Sequence, residues 1–176
     1  MKLEADAHIP FERLAVFRAY RDRLTDLLPF LPNVRGIEQR ERNDNGPIAS
    51  VVNTWHGGGE IPEAARAILS DSMLSWTDHA TWDESALTCE WRIETHAFTE
   101  AVHCSGRNTF RDDHGTTLLE IRGEITIDAK KIKGVPGFMA GSVGRTIEQV
   151  LIGKIQPNLV ETARGLKSYL EKRRDG

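Results

Sequence analysis

A basic surplus is missing from this sequence. Its 23 lysines and arginines stand against 26 acidic residues, a formal net charge of −3, so the charge balance gives no reason to expect nucleic acid as a partner. The one dense basic run, Lys172 to Arg174, closes a helical pattern, where the negative end of the helix dipole accounts for it. Cysteine is scarce as well. Cys89 and Cys104 are the only two, which excludes a disulfide scaffold and makes free thiols in a reducing cytoplasm the expectation, with a pairing across adjacent strands left open. No run of about 18 apolar residues occurs, and the opening MKLEADAHIP carries no apolar segment of signal-peptide length, so neither a membrane span nor secretion is expected. The six histidines include no i, i+4 pair, so the familiar zinc spacings are absent and neither metal nor cofactor is expected.

Two glycine-rich strings fall short of a chemical motif. His56-Gly57-Gly58-Gly59 matches the oxyanion-hole string of some lipases and esterases, yet no G-x-S-x-G nucleophile elbow exists in the chain. It reads as a glycine turn at the mouth of a sheet, with a pocket gate as the functional alternative. Gly134 to Gly144 precedes a helix N-terminus, where anions bind, but it has neither a phosphate-loop Gly-Lys-Ser/Thr nor a dinucleotide fingerprint. It reads as a mobile loop.

What is present is patterning. With 176 residues, 39% hydrophobic and 28% charged, the chain fits a single domain over 1–176 with one core. From about Gly141 to Lys172, Val143, Ile147, Val150, Leu151, Ile155, Leu159, Leu166, Tyr169 and Leu170 recur at three- and four-residue spacing. The spacing predicts one long amphipathic helix that needs a sheet to lie on. Pro157 within it predicts a bend near Gly153 to Pro157.

Ahead of that helix, Lys2 to His8 alternates as a strand, and Pro10 stands where a helix begins. An apolar stripe through about Leu28 follows, split into two short helices around Tyr20 to Thr25 and ended by Pro29 and Pro32. Val34 to Arg42 and Ile48 to His56 read as a hairpin across Asn43 to Gly46, and Pro62 to Met73 as a small helix. Leu74 to Trp82, Leu87 to Phe98, Ala101 to Arg111 and Thr117 to Asp128 then read as an antiparallel meander. The predicted fold class is α+β. A curved antiparallel sheet of about seven strands grips a long C-terminal helix, with two short helices after the first strand and a small helical insertion.

Candidate site residues come from strand parity. Trp55, Trp76, Trp82 and Trp91 all lie on predicted strands, with Trp76 and Trp82 sharing a face with Ala80, and each is read either as pocket lining or as core. Asp78 and Asn108 are polar residues of inward parity, with Asn53 a third candidate on a strand whose parity is ambiguous, and a buried polar side chain needs a partner or a task. Asp78 facing inward is a carboxylate suited to acid or base work, helped by His79 or Asn108; the alternative is a side chain satisfied by neighbours or water. The outward residues Glu90, Arg92, Glu94 and His96 predict a solvated outer face.

The strand running into Ile9-Pro10-Phe11-Glu12-Arg13, the strand count and the Gly134-Val135-Pro136-Gly137 loop before the last helix resemble the START-like superfamily, also called SRPBCC or Bet v 1-like, over essentially the whole chain. Ile155-Gln156-Pro157-Asn158-Leu159 is similar to bacterial uncharacterised members grouped as polyketide cyclase/dehydrase. The resemblance implies the helix-grip fold and a hydrophobic cavity between sheet and terminal helix. The leading expectation is binding of a hydrophobic small molecule such as a lipid, isoprenoid or polyketide-like compound. The alternatives are a cyclase, hydratase or aromatase-type enzyme using Asp78, and a protein-interaction module. On the sheet side Trp55, Trp76, Trp91, Phe110 and Asn53 are the ligand-binding candidates; on the helix side they are Met139, Ile147, Leu151 and Ile155.

Overall fold

The computed structural model describes residues 1–58, 74–132 and 140–174, and within 140–158 little beyond the course of the backbone. β1 (Lys2–Ile9) leads into α1 (Arg13–Asp22) and a 3-10 helix (Leu24–Phe30). Six further strands follow, β2 (Val34–Asn45), β3 (Ile48–Gly57), β4 (Ser75–Asp83), β5 (Thr88–Thr95), β6 (Val102–Asp113) and β7 (Thr116–Ile127), and then α2 (Ala140–Arg174). All seven strands form one antiparallel sheet in the order β1-β7-β6-β5-β4-β3-β2. α2 packs against β1, β7, α1 and the 3-10 helix. The α+β class, the seven strands and the paired short helices follow the sequence expectation.

Three local expectations shift. Pro10 does not open α1, which starts three residues later because Glu12 caps it, its carboxylate accepting the Leu14 and Ala15 amides at 3.0 and 3.1 Å. Those amides have no partner inside the helix. Replacing Glu12 with Ala is expected to cost about 1 kcal/mol, read as a lower midpoint in urea unfolding with unchanged slope. The hairpin turn is tighter than Asn43 to Gly46. Asn45 pairs with Ile48, so Gly46 and Pro47 alone make the turn, Gly46 at φ +59°, a left-handed conformation that glycine adopts without strain. Pro29 does not end the second short helix but lies inside it. The backbone of α2 is helical without interruption through Pro157. The side chains of the expected bend at Gly153 to Pro157, the helix expected over Pro62 to Met73 and the loop at Gly134 to Gly137 lie outside the described residues.

Alternation assigns the two faces of the sheet. On the outer face, Glu90 pairs with Arg107, Glu120 with Arg111, and Asp6 with Arg122 at 2.5 Å. His79 and Arg92 each approach Glu94 at 3.6 Å, and His96 bonds Ser75 and Thr77 at 2.8 and 2.9 Å. This is the solvated face expected from Glu90, Arg92, Glu94 and His96. The other face is the core. At one end it is closed by aromatics: Phe17 of α1 sets its edge against Trp82 at 5.3 Å and Phe110 at 5.2 Å, and Tyr20 meets Trp82 at 5.2 Å. Phe17 is wholly buried and Phe110 and Trp82 nearly so. Burial of each such ring is worth roughly 2–3 kcal/mol, and edge contacts add to it.

Candidate functional site

The other end of the core face is built differently. Strand register lays its residues out in rows across the sheet. One row runs Trp55, Trp76, Thr95; the next runs Asn53, Asp78, Ile93, Cys104; the next Val51, Ala80, Trp91, Gly106, Gly123. Trp76, Asp78, Ile93 and Thr95 are only half-buried although they point to the core side, whereas their neighbours Asn53, Trp55, Cys104 and Trp91 are buried. The aromatic plug of α1 closes the sheet around Trp82 and Phe110. It leaves this part uncapped.

Trp55 and Trp76 stack face to face, centroids 5.7 Å apart and planes 14° from parallel. The Trp55 indole N–H is buried and makes no hydrogen bond, and the Thr95 hydroxyl two strands away in the same row is likewise buried without a partner. Such groups cost about 1–3 kcal/mol each when left unpaired. Asp78 lies directly across from Asn53. Burial pushes its carboxyl from the ordinary carboxylate range up to about 7, and hydrogen bonding from Asn53 and then the partial positive charge of the nearby Trp55 N–H pull partly the other way. Trp55 is therefore close enough to Asp78 to favour its anion, yet outside normal hydrogen-bond geometry.

Trp91 owes its pose to two glycines. A Cβ at Gly123 would stand 2.7 Å from the indole, and one at Gly106 would overlap it, so the ring lies over paired glycines of β6 and β7. From there its N–H donates to Asn108 Oδ1 at 2.9 Å. Tyr20 of α1 joins this group: burial raises its hydroxyl above the ordinary range, the charge of Asp78 adds to the shift, and Asn108 opposes it by hydrogen bonding. Burial pushes Cys104 up to about 11 and Cys89 well above its usual value, with Asp78 reinforcing both. The thiols stay protonated and inert near neutral pH.

The structure thus gathers Asn53, Trp55, Trp76 and Asp78 at one place. It separates others. His79 follows Asp78 in the strand, so it points to the outer face and pairs with Glu94; it does not assist Asp78. Asn108 is spent on Trp91, and Phe110 belongs to the closed aromatic end. Strand parity does not find Tyr20, which lies on a helix. Its place three residues after Phe17 on the α1 stripe was the available signal. Met139 and the side chains of Ile147, Leu151 and Ile155 lie outside the described residues.

No family description and no curated protein matches the sequence. Solved structures do. The Thermus thermophilus protein TTHA0849 superposes with a TM-score of 0.67 at 15% identity, over 98% of this chain and 99% of its own. The Zhui aromatase/cyclase of Streptomyces sp. R1128 gives 0.67 at 16%, over 98% and 94%. Norcoclaurine synthase of Thalictrum flavum gives 0.63 at 10%, over 97% and 92%. At such identities the likeness establishes the fold, which is the START-like, Bet v 1-like helix-grip fold.

Proposed function

We propose that this helix-grip domain binds a hydrophobic small molecule between the sheet and α2, at the end of the core face that α1 leaves uncapped. One observation carries the reading: Trp76, Asp78 and Ile93 face inward yet keep access, beside a core end of the same sheet packed shut with aromatics. A core meant only for stability fills such space, because voids forfeit packing contacts. Several of its fold neighbours are named for work on small organic molecules, among them the aromatase/cyclase and the norcoclaurine synthase, which supports a ligand of that size. Incubation of the purified protein with a lipid extract, followed by native mass spectrometry, is expected to show a retained species. Trp76→Ala is expected to weaken that retention about fivefold or more, since an aromatic wall contributes about 1–3 kcal/mol of contact. An empty protein under all conditions, or retention indifferent to Trp76, removes the reading.

A second reading is favoured by Asp78 alone. A carboxyl that titrates near 7 on an inward face, with Asn53 opposite and Tyr20 nearby, is placed as a general acid or base of a cyclase, hydratase or aromatase-type enzyme. The outer face, laced with ion pairs, gives an interaction module no apolar patch to use among the described residues.

A further inference from the structure

We infer that the site selects its ligand by the ligand's polar end: it takes a neutral hydroxyl or carbonyl oxygen between the Trp55 indole N–H and the Asp78 carboxyl, and it turns carboxylates away. The inference rests on the cavity reading above and adds the chemistry of the guest.

The Trp55 N–H is a fixed donor, held by the stack of its ring on Trp76, buried, and without an acceptor. An oxygen brought to it recovers the hydrogen bond that the fold leaves unmade. Asp78 is the adjoining group. Its Asn53 side is already engaged, and among the described residues no lysine, arginine or histidine acts on it. A neutral oxygen finds a donor in Trp55 and either a donor or an acceptor in the carboxyl, so a hydroxyl and a carbonyl are both accommodated. A carboxylate finds no counter-charge there and meets a second acid group, an arrangement in which two like charges cannot both persist away from water. The accessible part of Trp76 supplies a flat apolar surface for the body of the guest. A fatty-acid carrier would need a cation at this point. This chain places an acid there.

The test uses the intact protein and three probes with one ring system, naphthalene, 2-naphthol and 2-naphthoate. Affinity is read by equilibrium dialysis at about pH 8, where the naphthol is neutral, the naphthoate ionised and Asp78 past its titration near 7. The expected order is naphthol over naphthalene by about tenfold, with naphthoate at least about tenfold weaker than naphthol. Trp55→Phe keeps the ring and is expected to erase the preference of naphthol over naphthalene. Asp78→Asn is expected to admit naphthoate to within a few-fold of naphthol. Equal affinities in the wild-type protein overturn the inference and leave the cavity standing. So does a Trp55→Phe variant that shifts the titration of Asp78 but keeps the naphthol preference. If none of the three probes binds, the cavity reading falls and this inference with it.

Discussion

Between about pH 4 and pH 8 the wild-type protein is expected to lose on the order of 4 kcal/mol of folding stability that an Asp78→Asn variant keeps. Burial raises the carboxyl from 3.8 to about 7 in the folded state. Below the unfolded value both states are protonated, and Asp78 adds no pH dependence. As pH rises past it, the unfolded chain ionises first and gains, so stability falls until the folded carboxyl also ionises near 7, and then levels off. The carboxylates in ion pairs behave oppositely. Asp22, beside Arg21 and Arg42, and Asp6, beside Arg122, are held below their ordinary range, so their contributions are lost only under more acidic conditions. Thermal melts across this window are expected to show the wild-type Tm dropping by roughly 8–16 °C and the Asp78→Asn curve staying nearly flat. Parallel curves would mean that Asp78 is solvated, and its role in the site would go with that result.

Gly106→Ala is expected to destabilise the fold by about 3 kcal/mol or more, the upper range for overpacking a core. The added Cβ would overlap the Trp91 ring and the Arg122 carbonyl oxygen and stand 2.8 Å from Gly123 Cα. Two of those three atoms are backbone in the middle of the sheet and have no rotamer through which to retreat. The indole cannot lift freely either, since its N–H is tied to Asn108. Urea unfolding provides the measurement, with Gly141→Ala as the comparison. A Cβ at Gly141 meets nothing within 4 Å, so that variant is expected to be neutral or more stable, alanine being the better helix former. A Trp91→Leu, Gly106→Ala double variant should cost less than the sum of its parts, because the smaller side chain vacates the overlapped space. A Gly106→Ala midpoint within error of wild type would show that the Trp91 pose is not fixed.

The sheet was legible because strand alternation is a local property. Trp76, Asp78 and Ala80 differ in parity from Thr77, His79 and Thr81, and that period alone put Asp78 inward and His79 outward. The same rule separates His79 from Asp78. Boundaries moved where side-chain chemistry at the ends decided them, as with Glu12 capping α1 in place of Pro10 opening it. The difference between the two ends of the core face was not legible. It depends on Phe17 and Tyr20 reaching across to Trp82 and Phe110, contacts between residues far apart in the chain that no period records. The glycine platform under Trp91 was hidden for the same reason: Gly106 and Gly123 become neighbours of that ring only through the register of three strands.

The order β1-β7-β6-β5-β4-β3-β2 also dictates when this molecule can fold. β1, the earliest of the seven strands, has β7 as its partner, with Lys2 opposite Glu124 and Ile9 opposite Thr117. At about 5–20 residues per second, β1 waits roughly 6–25 s in the nascent chain before that partner exists. Meanwhile β2 through β7 can pair in sequence, each with the strand just completed. The sheet is therefore expected to assemble from the β2 edge and to admit β1 last. Of the seven strands, β1 is the one a chaperone would have to shield longest during synthesis.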